Sequence, residues 1–165
     1  MPVQDLNALY INEIKDLYSA DKQAKTLHKR LQRSAKDQVL KDAIGACVDG
    51  IDDGMTLLKE ICERHGKKAT GKHCKGMSGL VEEAKNHIFK TEYSERSVKD
   101  AAIIAQSQRM THYAISGYGT AAAYATRLGF KSDVKKLRKC LDNTYEGDRR
   151  LSHLAESGIN EQAKS

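Results

Sequence analysis

Residues 3–33, VQDLNALYINEIKDLYSADKQAKTLHKRLQR, decide the fold. Leu6, Tyr10, Leu17, Ala20, Ala24, Leu27 and Leu31 recur at steps of three, four and seven, which lays them on one stripe of a long helix. The single proline of the chain, Pro2, stands before this stretch, so no later helix is interrupted by one. Asp21 and His28 lie beside the stripe and read as boundary residues between core and solvent.

The same rhythm continues outward. Ser34, with Asp37 three residues on, reads as a capping box that opens a second helix. Its apolar face is Leu40, Ile44, Cys47, Val48, Ile51, Met55, Leu58 and Cys62, with Asp49, Asp52 and Asp53 forming a solvated acidic face. Gly45, Gly50 and Gly54 each cost about 1 kcal/mol against Ala inside a helix, which points to close backbone approach or to lost side chains. His65-Gly66 ends the helix, and a basic loop, GKKATGKHCKG (Gly66–Gly76), follows. Cys62, His65, His73 and Cys74 imitate zinc spacing, but adjacent residues rarely share one ion, so a solvated loop is the stronger reading. Met77, Leu80, Val81, Ala84 and Ile88 form a short amphipathic helix flanked by Glu83 and His87. After a polar connector, Lys90–Arg96, Ser97 and Asp100 read as a second capping box for a helix reaching about Leu128.

One seam of that helix, Ala101, Ala105, Gln108, His112, Ser116, Gly119 and Ala123, is made of small side chains with His112 in its middle, and reads as a line of close helix contact. Gly129 closes the helix and Ser132 starts the last one, where Val134, Leu137, Leu141, Thr144, Asp148, Leu151 and Ala155 keep the three-four spacing. Asp148 therefore occupies a core position and needs a partner. A buried His112–Asp148 pair would supply it, and removing one member of such a pair costs about 3–5 kcal/mol. The polar tail SGINEQAKS, residues 157–165, reads as fraying.

No segment alternates at period two for long enough to form a strand. The expectation is a single all-α domain over residues 1–165: an antiparallel four-helix bundle with an additional short helix. Lys and Arg number 28 against 22 Asp and Glu, a net charge of +6, which permits contact with polyanions without demanding it. No apolar run reaches the roughly 18–20 residues of a membrane span. The N-terminus lacks a basic segment followed by an apolar one, so no signal peptide is expected. Cys47, Cys62, Cys74 and Cys140 then read as reduced cytoplasmic thiols.

The stretches DLYSADKQ (Asp16–Gln23), MSGLVEEA (Met77–Ala84), DAAIIAQ (Asp100–Gln106), HYAISGYGT (His112–Thr120) and the closing LxxxYEGDRRLSHLA (Leu141–Ala155) occur in an order that resembles the YciE/YciF family of ferritin-like proteins. The resemblance implies a ferritin-like bundle, often a dimer, cytoplasmic and linked to stress response. Ferritin-like bundles commonly hold two irons between their helices, on four to six carboxylates and one or two imidazoles. Set against the family's pattern, the first-helix Glu is Asp21. The His, Glu-Thr and Gln or His of the second helix become Cys47, Gly50-Ile51 and Gly54. Both acids flanking His112 become Thr111 and Ala114, and a run of Glu in the last helix becomes Asp142-Asn143-Thr144.

Asp21, Glu83, His112 and Asp148 survive as candidate metal ligands, too few for a full dinuclear centre. The expectation is a degenerate centre without a resident cofactor, in a structural or stress-associated homodimer without catalytic residues. Two alternatives stand beside it: a ferroxidase- or peroxidase-type oxidoreductase on a residual iron site, and a weak polyanion-binding bundle. The latter would use Lys67, Lys68, Lys72 and Lys75 with Lys131, Lys135, Lys136 and Arg138. It lacks a groove-reading motif or an aromatic stacking platform, so nucleic acid is not an expected partner.

Overall fold

A computed structural model describes residues 3–164; Pro2 and Ser165, the last residue of the expected tail, lie outside the described residues. The helices are α1 (Leu6–Ser34), α2 (Gln38–Arg64), α3 (Lys75–Phe89), α4 (Arg96–Arg127) and α5 (Lys131–Leu154). A π-helical turn (Ala155–Ile159) and a short α6 (Asn160–Ala163) follow. Periodicity placed these helices correctly, but three of their starts differ from expectation. Ser34 stays inside α1, and Asp37 itself caps α2, accepting from the Leu40 amide at 2.9 Å. Helix α4 begins at Arg96, ahead of Ser97, and α5 at Lys131, ahead of Ser132. Gly66 and Gly129, at φ 64° and 75°, take the left-handed conformation that terminates α2 and α4.

Asp100 is not a capping-box partner, because its carboxylate works across the molecule. It is buried and accepts from the backbone amides of Lys36 and Asp37 at 2.9 and 2.8 Å. The start of α4 is thereby fixed at the α1–α2 turn, so α4 runs antiparallel to α1. At the opposite end Asp133, in the first turn of α5, meets Tyr10 of α1 and the C-terminal end of α2. Helix α5 therefore runs antiparallel to α2. The four long helices form a ferritin-like antiparallel bundle in which α1 neighbours α2 and α4, and α5 closes the square. From the end of α2 the loop climbs to mid-height, where the Cys74 amide donates to Ser19 at 2.9 Å. Helix α3 continues upward along the outside of α1 and α4 until Phe89 lies under the Arg30 guanidinium, 4.3 Å from its ring centre.

The core is in two pieces. One half gathers Leu27, Leu31, Leu40, Ile44, Met77, Ile88, Ile103 and Leu151; the other gathers Ile14, Leu17, Leu58, Ile61, Ala121, Ala125 and Leu137. A polar waist lies between them. Past Glu156, where the sequence reads as a fraying tail, the chain stays helical through Ala163 and buries Ile159 in the first cluster.

Asp133 is the polar clamp of the lower half. Its carboxylate accepts from the Tyr10 hydroxyl and from His65 Nε2, each at 2.9 Å, and pairs with Arg64. Burial alone would raise its pKa, but the donors His65, Tyr10 and Arg64 outweigh that and hold it below the usual carboxylate range. The clamp thus stabilises the fold above the ordinary carboxylate pKa and is lost as pH falls through the lower, folded value. Asp133→Ala strands three donors and is expected to cost about 3 kcal/mol in chemical denaturation at pH 7. The difference from the unsubstituted protein should shrink below about pH 4.

Candidate functional site

The waist is built from all four long helices. Asp21 of α1 is only 2% exposed and accepts from the Tyr118 hydroxyl of α4 at 2.6 Å. A Cβ added at Gly54 of α2 would collide with that hydroxyl, so the glycine makes room for the Asp21–Tyr118 bond. Beside it opens a cavity of about 390 Å³. Cys47, Gly50, Ile51, Thr111, Ala114, Asn143 and Thr144 all line it. These are among the positions at which the chain departs from the iron-ligand pattern of its resemblance, and the fold brings them to one place; Gly54 and Asp142, two further departures, do not line the cavity.

Burial pushes the Asp21 carboxyl up to about 7, against the opposing hydrogen bond from Tyr118. His28, two turns further along α1 and also 2% exposed, bonds through Nδ1 to the Ala24 carbonyl at 2.8 Å. A carbonyl only accepts, so Nδ1 carries the proton and Nε2 carries a lone pair. That Nε2 is buried with no partner, a state that costs about 1–3 kcal/mol. Burial also lowers the His28 pKa, keeping the ring neutral. The two cavity thiols are poor thiolates. Burial raises Cys47, while burial with the charges of Asp21 and Asp53 raises Cys140 to about 11.

The four metal candidates do not converge. Asp21 is in the core. Glu83 is half exposed on α3 and pairs with His87 at 3.7 Å. His112 and Asp148 do meet, at 3.1 Å, and Gln108 Nε2 donates to Asp148 at 3.1 Å. This pair is not buried, however: the His112 side chain is 63% exposed and that of Asp148 18%. Four members of the α4 seam, Ala105, His112, Ser116 and Ala123, are exposed, while Gln108 and Gly119 are half-buried beside Asp148 and Leu141 of α5; the buried face includes Ile103, Ile104, Gln106, Ser107, Met110, Tyr118, Ala121 and Ala125. Among the described residues, no three His, Cys, Asp or Glu side chains are placed to hold a metal ion. The waist offers one nine-tenths-buried carboxylate, already engaged by Tyr118, so its residues do not fit a two-iron group.

Sequence reasoning missed Tyr118, whose hydroxyl completes the waist; it read His28 as a boundary residue, although the ring is fully enclosed. The signal for Tyr118 lay in Gly54, a helix glycine that only its counterpart on α4 explains. The basic residues read as a polyanion patch are partly spent, Lys72 on Asp16 at 3.7 Å and Lys136 on Glu60 at 2.9 Å.

Two substitutions check this geometry. A raised Asp21 pKa means that its contribution to stability is full below the ordinary carboxylate value and declines as pH rises toward 7. Asp21→Asn keeps an acceptor for Tyr118 and removes the charge. Its stability relative to the unsubstituted protein is expected to rise by on the order of 2–4 kcal/mol between pH 4 and pH 8, measured by urea denaturation. The comparison isolates Asp21 because His28, with its lowered pKa, slopes the other way in both proteins. His112→Ala, in contrast, breaks an exposed pair and should cost less than about 1 kcal/mol, moving Tm by under about 4 °C. This replaces the larger loss expected for a buried pair.

Comparison with known proteins agrees with the fold. A family described as a domain of unknown function (DUF892) matches residues 5–164. The YciF protein of Escherichia coli (strain K12) is 31% identical over 166 residues, covering 100% of this chain and 99% of its own length. The crystal structure of the E. coli stress protein YciF matches with TM-score 0.88 at 30% identity, covering 95% of this chain and 98% of that one. YcfI of Rhodopseudomonas palustris matches with TM-score 0.85 at 25% identity, over 91% of this chain and 94% of that one. With its helices, their order and its full length matched, the chain belongs to the YciE/YciF family of ferritin-like proteins.

Proposed function

We propose that this protein is a non-catalytic, stress-associated ferritin-like bundle whose iron centre has degenerated, acting as a cytoplasmic homodimer. The observation that carries the reading is the chemistry of the waist. A dinuclear iron centre needs several inward carboxylates free to bridge and terminate the metals. Here Cys47, Gly50, Ile51, Thr111, Ala114 and Thr144 line the cavity, and Asp21 is held by Tyr118. The association with stress rests on the relative YciF, which is described as a stress protein. The dimer and the cytoplasmic setting follow from the family resemblance. The absence of any helix long and apolar enough to cross a membrane among the described residues is compatible with that setting.

The test is metal content. After aerobic purification with added ferrous salt, the protein is expected to carry fewer than about one iron per chain, since two separated ligands bind weakly. Two tightly held irons per chain would overturn the reading in favour of an oxidoreductase.

A further inference from the structure

Asp21 and His28 both line the waist cavity, and each is a buried side chain with unused acceptor capacity. Nε2 of His28 has no partner at all. Asp21 takes one hydrogen bond, from Tyr118, out of the roughly four lone-pair sites a carboxylate offers. The two residues stand seven apart on α1, which sets their backbones about 10 Å apart along one wall of the cavity. Ala24, Ile51, Met110 and Ala114 give the cavity apolar lining. Its charged lining is acidic on balance, with Asp49, Asp53 and Glu146 against Arg150. That spacing suits two separate donors rather than one ion with ligand bonds of about 2 Å. Among the described residues no third metal-binding side chain joins the pair.

We propose that this cavity binds a linear aliphatic diamine, one ammonium group donating to the Asp21 carboxylate, the other to Nε2 of His28, with the methylene chain against the apolar lining. The acidic groups attract the cation, and the two buried acceptors select for the distance between its ends. The inference rests on the reading that the iron centre is lost.

The full-length protein, labelled with 13C at histidine, is titrated with α,ω-diaminoalkanes from 1,4-diaminobutane to 1,8-diaminooctane, with butylamine, and with Zn²⁺. The His28 ring signal is assigned by its loss in His28→Phe. The expected result is a saturable shift of that signal, strongest for one or two adjacent chain lengths. Butylamine should bind at least about tenfold more weakly. Asp21→Asn should weaken binding by a similar factor, and Ala114→Leu, which fills the cavity, should abolish the shift; either variant suffices if the other does not fold. An unmoved ring signal across the series, equal binding at every chain length, or undiminished binding by Asp21→Asn would each overturn the proposal. A ring that responds to Zn²⁺ and not to diamines would overturn it in favour of a metal. Failure with the diamines at low iron content leaves the non-catalytic reading standing, whereas two irons per chain remove both.

Discussion

The hydrogen bond between Tyr118 and Asp21 sets the character of this molecule. It crosses the bundle from α4 to α1, and Gly54 of α2 gives it space. A polar bond at the centre of a helical bundle is tolerable only when both groups are satisfied, since an unpaired buried polar group is costly. This one bond accounts for a glycine in a long helix and for a core divided into two apolar clusters, and it opposes the rise that burial imposes on the Asp21 carboxyl. The two ends are then secured by separate carboxylates, Asp100 on the amides of the α1–α2 turn and Asp133 on the side chains of Tyr10, Arg64 and His65.

Much of the fold was legible because helix periodicity is a local signal. Leu6 through Leu31 announced α1, and Leu40 through Cys62 announced α2. Errors arose where a residue's role depends on another part of the chain. Asp100 looks like a capping-box acid from its neighbours, yet its partners lie more than sixty residues away. Helix α4 misled for another reason: it carries alanine, serine and glycine on both faces, so small size did not separate the buried side from the exposed one. His112 was placed inward on that basis and stands outward instead.

The candidate site was legible in a different way. Gly50, Ile51, Thr111 and Ala114 carry no chemical signal of their own; only the family pattern marks their positions, and the fold shows that they share a cavity. Periodicity could not reveal that the Asp21 carboxylate is bonded or that Nε2 of His28 is not, because both facts depend on what the rest of the fold places against α1.

The π-helical turn at Ala155–Ile159 has a consequence for how the chain tolerates length changes. Leu151 and Ile159 are eight residues apart, which in a regular α-helix would leave them about 80° out of line. A π turn absorbs roughly one surplus residue, so the spacing behaves as seven and both side chains reach the same cluster. Loss of one residue between Glu156 and Gly158 would convert the bulge to ordinary helix and still seat the terminal isoleucine. Gain of one would swing that anchor out to solvent, making the C-terminal end of the bundle forgiving of deletion and intolerant of insertion.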